Sequence, residues 1–482
     1  MSKKVAVIDL GSNSMRMAIF ERTSRLGFYT LGEYKIKVRL GEGSYSENGV
    51  ICDEAMDNCI EAFNEFKKII QKYKINKVLA VGTSALRDAS NRNVFINRVK
   101  KIGINIKVAD GDMEAYLGGI AASNLLPSFK SATTIDIGGG STELALLEDG
   151  KVVKTISLNL GTVRLKELFY DKENLDGLDK FIDDIIKNVP KEFKNQNIIA
   201  IGGSLRAISK AILRIENYPL ETIHGFSYEY SKYSKLINEI SNSKATELVK
   251  FPIKKDRYDT IRGGAFIYKK IVKLLKGKYI QTSGAGVREG VFLTNLIGKN
   301  SKFPAGFNPS LKSLEDRFIA VKRPNITKYA SKIYDALYPL HKVDSVYKKD
   351  LITASKLLNI GLRVSFYSRH LHSSYIILNS LNYGYTHKQK ALIATIIKLN
   401  GKKNISEDEY TKYEKLLPSK KDVIWLSFIL KLAKILDELN NKNIKLSFSD
   451  HILNIYGIKD DLFIKNGIKE IPKPGIFAIS FS

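Results

Sequence analysis

Residues 134–146 read TIDIGGGSTELAL. An apolar run closes on Asp136. Gly138, Gly139, Gly140 and Ser141 follow, then Glu143 and a second apolar run. The pattern predicts a β-hairpin whose turn is made of small residues. Glycine permits positive φ and close approach of another group, and consecutive exposed N–H groups form a concave nest for an anion. In such a hairpin Asp136 and Glu143 flank the turn at the same end of the sheet. Carboxylates beside a phosphate nest repel the phosphate unless a cation lies between them. Mg²⁺ meets that need, being a hard ion held by one or two carboxylates together with substrate phosphates; Mn²⁺ is the other candidate. The stretch therefore predicts a phosphate cradle with its metal carboxylates alongside.

The same pattern occurs once before. VAVIDLGSNSMRMAIFE (5–21) is again an apolar run, Asp9, a small-residue turn (Gly11, Ser12, Asn13, Ser14) and a returning apolar run. The repeat predicts two similar domains with their turns facing each other. NIIAIGGSLRAI (197–208) and YIQTSGAGVREGVF (279–292) add two strand–glycine turn–helix units. Helices are expected at 53–73, at 91–102 and from Gly111, the last carrying Glu114 in its first turns. Strands alternating with helices indicate α/β layers. FPAGFNPS (303–310) reads as a linker, 311–440 as mostly helical, and 444–458 as a small hairpin region. The expected fold class is α/β: two similar α/β domains at 1–122 and 123–300, a helical domain at 301–440 and a small C-terminal α/β region at 441–482.

Of the 482 residues, 44% are hydrophobic and 26% charged, the balance of an ordinary soluble protein. The opening apolar run, VAVIDL, is too short for a signal peptide, and no run approaches the ~18 residues of a membrane span. Two cysteines, Cys52 and Cys59, are too few for a disulfide scaffold or a zinc site, so reduced thiols and a cytoplasmic location are expected. The net charge of +27 points to a polyanionic partner. Roughly half of that excess falls after residue 300.

With these motifs in hand, the chain resembles the exopolyphosphatase / guanosine pentaphosphate phosphohydrolase family of the actin-like ATPase superfamily. IDLGSNS and IDIGGGSTE resemble its paired phosphate motifs. GTSALRDA (82–89), GDMEAYLG (111–118), GTVR (161–164), DRYDTIRGGA (256–265) and GVREGV (286–291) match further family segments. The resemblance covers residues 1–300 and implies roles. Glu114 would be the base that activates water, and Asp136 and Glu143, faced by Asp9, would hold the metal. The backbone of Ser12–Asn13 and Gly139–Ser141 would hold the terminal phosphate. Arg87 and Arg257 would neutralise the phosphoryl group. These are the parts phosphoryl transfer asks of a protein, positioning and charge neutralisation.

Long family members carry a helical domain similar to HD-type phosphohydrolases, and residues 351–400 resemble it. The adjacent His-Asp of such a domain is replaced by Leu358-Asn359, and a later His position holds Asn400. His341, His370 and His372 do not restore a ligand set, so a metal-free, degenerate HD-like domain is expected. The resemblance implies Mg²⁺-dependent release of orthophosphate from the end of inorganic polyphosphate. Removal of the 5′ γ-phosphate of guanosine pentaphosphate (pppGpp), giving ppGpp in the stringent response, is the alternative, and a non-catalytic polyphosphate or alarmone sensor a remote one. A homodimer, without nucleic-acid or membrane partners, is implied as well. A sugar kinase fits GDMEA and GTVR less well, and a chaperone would need a β-rich domain after residue 300.

Overall fold

The computed structural model describes residues 3–43, 49–127, 129–298, 302–319, 323–401, 407–438, 444–458 and 461–481, the side chains at 324 and 407–409 excepted. The chain forms two compact units, Met1–Pro309 and Ser310–Ser482. The expected boundaries at 300/301 and 440/441 fall outside the described residues.

The N-terminal unit holds two sheets. The first contains β1 (Lys4–Leu10), β2 (Ser14–Arg22), β3 (Phe28–Lys37), β4 (Lys77–Gly82) and β5 (Ile106–Val108), in the order β3-β2-β1-β4-β5. Helices α1 (Asp53–Lys72), α2 (Ser84–Asp88) and α3 (Arg92–Lys101) lie between β3 and β5 in the chain. α4 (Gly111–Leu125) leads to the second sheet of β6 (Ser131–Ile137), β7 (Thr142–Glu148), β8 (Lys151–Leu158), β9 (Asn197–Gly202), β10 (Ser227–Glu229) and β11 (Tyr279–Thr282). Its order is β10-β11-β9-β6-β7-β8. Read from β8, the first five strands repeat the arrangement of the first sheet: an antiparallel meander whose innermost strand then pairs in parallel with the next. This is the repeated actin-type, ribonuclease H-like layout. Strand β1 reads as a nearly continuous apolar run because it is central to its sheet, and β6, central to the other, buries even Thr133 and Thr134, with Ala6, Ile8, Ala132 and Ile135 fully buried.

Between the strands of the second sheet run α5 (Thr162–Leu165), α6 (Leu178–Ile186), α7 (Gly203–Ile215), α8 (Tyr230–Asn242) and α9 (Ile261–Leu275). α10 (Val287–Ile297) closes the unit. Two helices exchange sides. α4 follows the first sheet in the chain but packs on β7 and β8, with Gly119 against Ala145 and Val152. α10 follows the second sheet but packs on β1 and β2, where Phe292 stacks on Phe20 at 4.3 Å and meets Phe28 at 4.8 Å. α4 and α10 themselves touch so closely that a Cβ on Gly290 would stand 2.1 Å from the Leu117 carbonyl oxygen.

The C-terminal unit is mostly helical: α11 (Pro309–Phe318), α12 (Pro324–Ala336), α13 (Tyr338–His341), α14 (Lys348–Leu357), α15 (Arg369–Ser380), α16 (His387–Lys398), α17 (Glu407–Tyr413) and α18 (Lys420–Asp437). The expected hairpin is β12 (Lys445–Ser449) and β13 (Ile452–Tyr456). After α19 (Leu462–Lys469), β14 (Ala478–Phe481) joins it in parallel. Trp425 on α18 is packed against Phe428, Phe477 and His341. His341 is a core histidine, with Nε2 bonded to the Tyr334 carbonyl at 2.9 Å and Nδ1 accepting from the Val343 amide at 2.8 Å. Among the described residues no helix is long and apolar enough to cross a membrane.

Candidate active site

The two glycine turns meet. A Cβ on Gly139 would lie 2.9 Å from Ser12 Cβ and 3.5 Å from the Asn13 nitrogen, so the turns are in contact and only a hydrogen fits between them. Each turn closes on itself, Gly11 N–H to the Ser14 carbonyl at 3.3 Å and Gly138 N–H to the Ser141 carbonyl at 2.9 Å. The 161–164 segment then ties down the carbonyls of the second turn. The Thr162 amide donates to Gly138 O, the Val163 amide to Gly139 O, and Arg164 Nε to Gly140 O at 3.0 Å. Among the described residues the amides of Asn13, Gly139 and Gly140 meet no protein acceptor. They are available to an anion, as a nest requires.

Strand register places the carboxylates. Asp136 pairs with Glu143 across β6 and β7, and Glu143 with Ser157 across β7 and β8, so all three share one face of the sheet. Ser157 Oγ donates to Glu143 Oε1 at 2.9 Å, whereas Glu143 Oε2 is buried with no hydrogen-bond partner. Gly111 gives Ser157 its room, since a Cβ there would stand 2.3 Å from Ser157 Cβ. Asp110 accepts from the Met113 amide at 2.7 Å and so starts α4, whose first turn carries Glu114. Arg87 Nη1 donates to Glu114 Oε2 at 2.9 Å, and Arg87 Nη2 to Ser141 Oγ at 3.4 Å. Arg164 joins the same frame through Asp88 at 3.2 Å.

One cleft of ≈ 140 Å³ brings most of these together. Asp9, Gly11, Ser12, Asn13, Ser14, Glu114, Asp136, Gly138, Gly139, Gly140, Ser141 and Arg257 all line it. Arg87 and Glu143 stand behind that lining, Arg87 through Glu114 and Ser141, and Glu143 through its pairing with Asp136. Arg257 reaches the cleft over Gly203, where a Cβ would stand 2.7 Å from the guanidinium.

Burial and mutual repulsion raise all four acids. Glu114 is lifted well above the usual carboxylate range by burial and by the Glu143 charge, with Arg87 pulling the other way. Burial and then Asp136 push Glu143 up to about 7. Asp136 rises to about 6, by burial first, against the pull of Arg206. Asp9 is raised by burial against Arg288 and Arg16. Burial works against the Arg87 charge, but Glu114 outweighs it and holds Arg87 above its ordinary value.

The cleft also contains cations to which the motifs assign no role, although GVREGV includes Arg288. Arg16 lies opposite Asp9 in the β1–β2 register, and burial, Arg206 and Arg288 lower it to about 10. Arg206 donates to the carbonyls of Ser283 and Ala285 at 2.8 and 3.0 Å. Arg288 lies 3.7 Å from Glu33 and 3.8 Å from Glu289. A second cavity of ≈ 220 Å³ shares Arg16, Gly203, Arg206 and Arg257 as walls. It adds Lys210, Arg214 and Lys254, with Asp256 as its one acid among the described residues. Repeat logic would have found Arg16: it stands seven residues after Asp9, as Glu143 stands seven after Asp136.

Two family models match this chain, the Ppx/GppA phosphatase family over residues 18–298 and domain III of the Ppx/GppA phosphatases over 317–462. Among solved structures, an Aquifex aeolicus member of that family is 26% identical, with a TM-score of 0.53 over 62% of this chain and 99% of its own. A structure described as an exopolyphosphatase from Cytophaga hutchinsonii shares the fold at 24% identity, with a TM-score of 0.54 over 62% of this chain and 100% of its own. The repeated sheets, the abutting glycine turns and these matches agree, and the chain belongs to the Ppx/GppA phosphatase family.

Proposed function

We propose that the protein is an exopolyphosphatase, hydrolysing the terminal phosphoanhydride bond of inorganic polyphosphate to orthophosphate. The observation that carries this reading is the continuation of the cleft into a cavity walled by six cations and one acid. A lone phosphate monoester has no use for that extension. A chain of phosphates does, since cations along a groove bind a linear polyanion.

Asn13, Gly139 and Gly140 offer amide donors to the terminal phosphate from both turns, held in place by the Thr162–Arg164 bonds. Arg16, Arg206 and Arg257 neutralise the phosphates behind it. Glu114, ionised, orients water and accepts its proton. The water oxygen bonds to the terminal phosphorus, the bridging P–O bond breaks, and the shortened chain leaves with the bridging oxygen. Such a base contributes typically ~10²–10⁴ in rate. Burial raises Glu114 toward a working pH, and the Arg87 bond fixes its orientation.

The carboxylates suit Mg²⁺. Glu143 Oε2 is a buried hard donor with no hydrogen-bond partner, and burial raises Asp9, Asp136 and Glu143 in spite of the arginines near them, so each would gain from a cation. Among the described residues no three His, Cys, Asp or Glu side chains form a metal cage, which fits an ion held by one or two carboxylates plus substrate phosphates and water. Asp136 and Glu143 would hold it, faced by Asp9, and the ion would neutralise charge on the phosphates.

Guanosine pentaphosphate is the second reading, because its phosphates at both ends of the ribose make the same use of the cationic extension. Orthophosphate release from long-chain polyphosphate and from guanosine pentaphosphate, measured side by side with Mg²⁺, tests both, with Glu114→Gln as control. Turnover by wild type and none by the variant supports the mechanism, and the two rates rank the substrates. Binding of both without turnover would instead make the protein a sensor.

A further inference from the structure

The C-terminal unit contains a cavity of ≈ 210 Å³, larger than the ≈ 140 Å³ of the catalytic cleft. Its walls include Asn359, Phe366, Arg369, His370, Asn400 and Lys434, all within that unit. Leu358, Asn359 and Asn400, the three positions at which the chain departs from the HD pattern, all line it. Among the described residues no Asp or Glu lines the cavity. The acids near it at the end of α18, Asp437 and the following Glu438, are engaged by Arg323 at 3.4 and 3.0 Å.

Two cations without a lining carboxylate are costly in a partly desolvated pocket. They are nonetheless held there. The Arg369 guanidinium stacks on Phe366 at 4.6 Å, which fixes its plane. The His370 ring lies against Gly401, where a Cβ would stand 2.2 Å from Nδ1. Asn400 Nδ2 is buried and has no hydrogen-bond partner, an orphan donor of the kind that folded proteins rarely leave. The first turn of the twelve-residue helix α15 forms part of the wall, adding the positive end of its dipole. The pocket thus gathers a guanidinium, an ammonium, an unsatisfied amide donor and a helix start. All of them ask for an anion. Among the described residues the lining offers a metal ion no carboxylate or thiolate, only His370 and amide groups beside two cations.

We propose that this cavity is a second ligand site that binds the phosphate or diphosphate group of a small molecule. Arg369 presents the planar fork suited to phosphate oxygens, Lys434 a point charge, and Asn400 Nδ2 a further donor. Burial, followed by the Arg369 charge, holds the Lys434 ammonium below its ordinary value, and a bound dianion would relieve that. Phe366 on the cavity wall and its chain neighbour Tyr367, both largely exposed and edge-on at 5.7 Å, offer an aromatic surface to the organic part of the ligand.

The test uses the full chain and methylenebisphosphonate, whose P–C–P link resists hydrolysis. Titration calorimetry counts sites per chain. The double variant R369Q/K434Q is expected to have one site fewer than wild type, with the remaining affinity unchanged. A measurement without variants runs alongside: acylation of lysines in wild type, read by mass spectrometry. At about ten times the dissociation constant, the probe is expected to slow labelling of Lys434 about tenfold. Equal site counts in wild type and double variant, or Lys434 labelling indifferent to the probe, would overturn the proposal.

Discussion

Arg87 Nη1 donates to Glu114 Oε2 at 2.9 Å, joining the end of α2 to the first turn of α4 across 27 residues of chain. The bond sets two properties of the carboxylate. It fixes the direction of Oε2, and it opposes the upward push on the pKa from burial and Glu143.

A pH prediction follows from the sign of that opposition. A general base works ionised, so kcat/KM rises with pH through the pKa of Glu114. Arg87→Met removes a contribution that lowers this pKa. The acid limb should therefore move to higher pH, and the plateau rate should fall roughly 10²-fold as a positioned cation is lost. The pH profile for orthophosphate release from polyphosphate checks this. A limb that stays in place while the plateau falls would show that Arg87 serves the phosphate and not Glu114.

Gly139 is the contact point of the two turns. A methyl group there would stand 2.9 Å from Ser12 Cβ and 3.2 Å from Val163 Cγ2, so the turns would have to part. Because displacements on the order of 1 Å at a reacting centre cost about 10²-fold, Gly139→Ala should lose about that much in kcat/KM. The turns lie at the cleft, not in a core, so thermal stability should change little. Activity within a few-fold of wild type would mean that the turns do not close on substrate together.

Gly290→Ala should cost stability as well as activity. Its methyl group would enter the Leu117 backbone, which has no soft side chain to yield. Overpacking of this kind costs about 1–3 kcal/mol. Since α4 carries Glu114 and α10 packs on the first sheet, the variant should unfold at lower denaturant and also lose activity. Denaturant unfolding monitored by circular dichroism measures this, and an unchanged midpoint would contradict the close helix crossing.

Much of this arrangement was legible in the sequence. Asp136 and Glu143 are seven apart around a small-residue turn, and an antiparallel hairpin leaves one register that faces them. The repeat at Asp9 was equally plain, and the two turns do meet. Arg16 was missed although the same spacing marks it, because a lone arginine between buried Met15 and Met17 looks like a strand's polar side. Arg206 and Arg288 are different. Their partners lie 77 and 255 residues away, at Ser283 and Glu33, and only tertiary packing brings them to the cleft. The exchange of α4 and α10 between the sheets has the same origin. An amphipathic pattern says that a face is buried but not against which sheet.

Asp350 gives a prediction for the C-terminal unit. It is 3% exposed, accepts from Gln389 Nε2 at 3.0 Å, and burial raises it from 3.8 to about 6. A raised carboxylate binds its proton more tightly in the folded state than in the unfolded one. Between pH ~4 and ~6 the folded chain therefore holds more protons, and stability falls as pH rises through that window. Above about pH 6 the full penalty is present, on the order of 2–3 kcal/mol for a shift of about two units. Asp350→Asn keeps an acceptor for Gln389 and has no charge to bury. It should match wild type at pH 4 and be more stable at pH 8. Melting curves of the full chain at the two pH values read this directly as a gap in Tm that opens with pH. A gap of the same size at both would show that Asp350 is not the group whose burial is penalised.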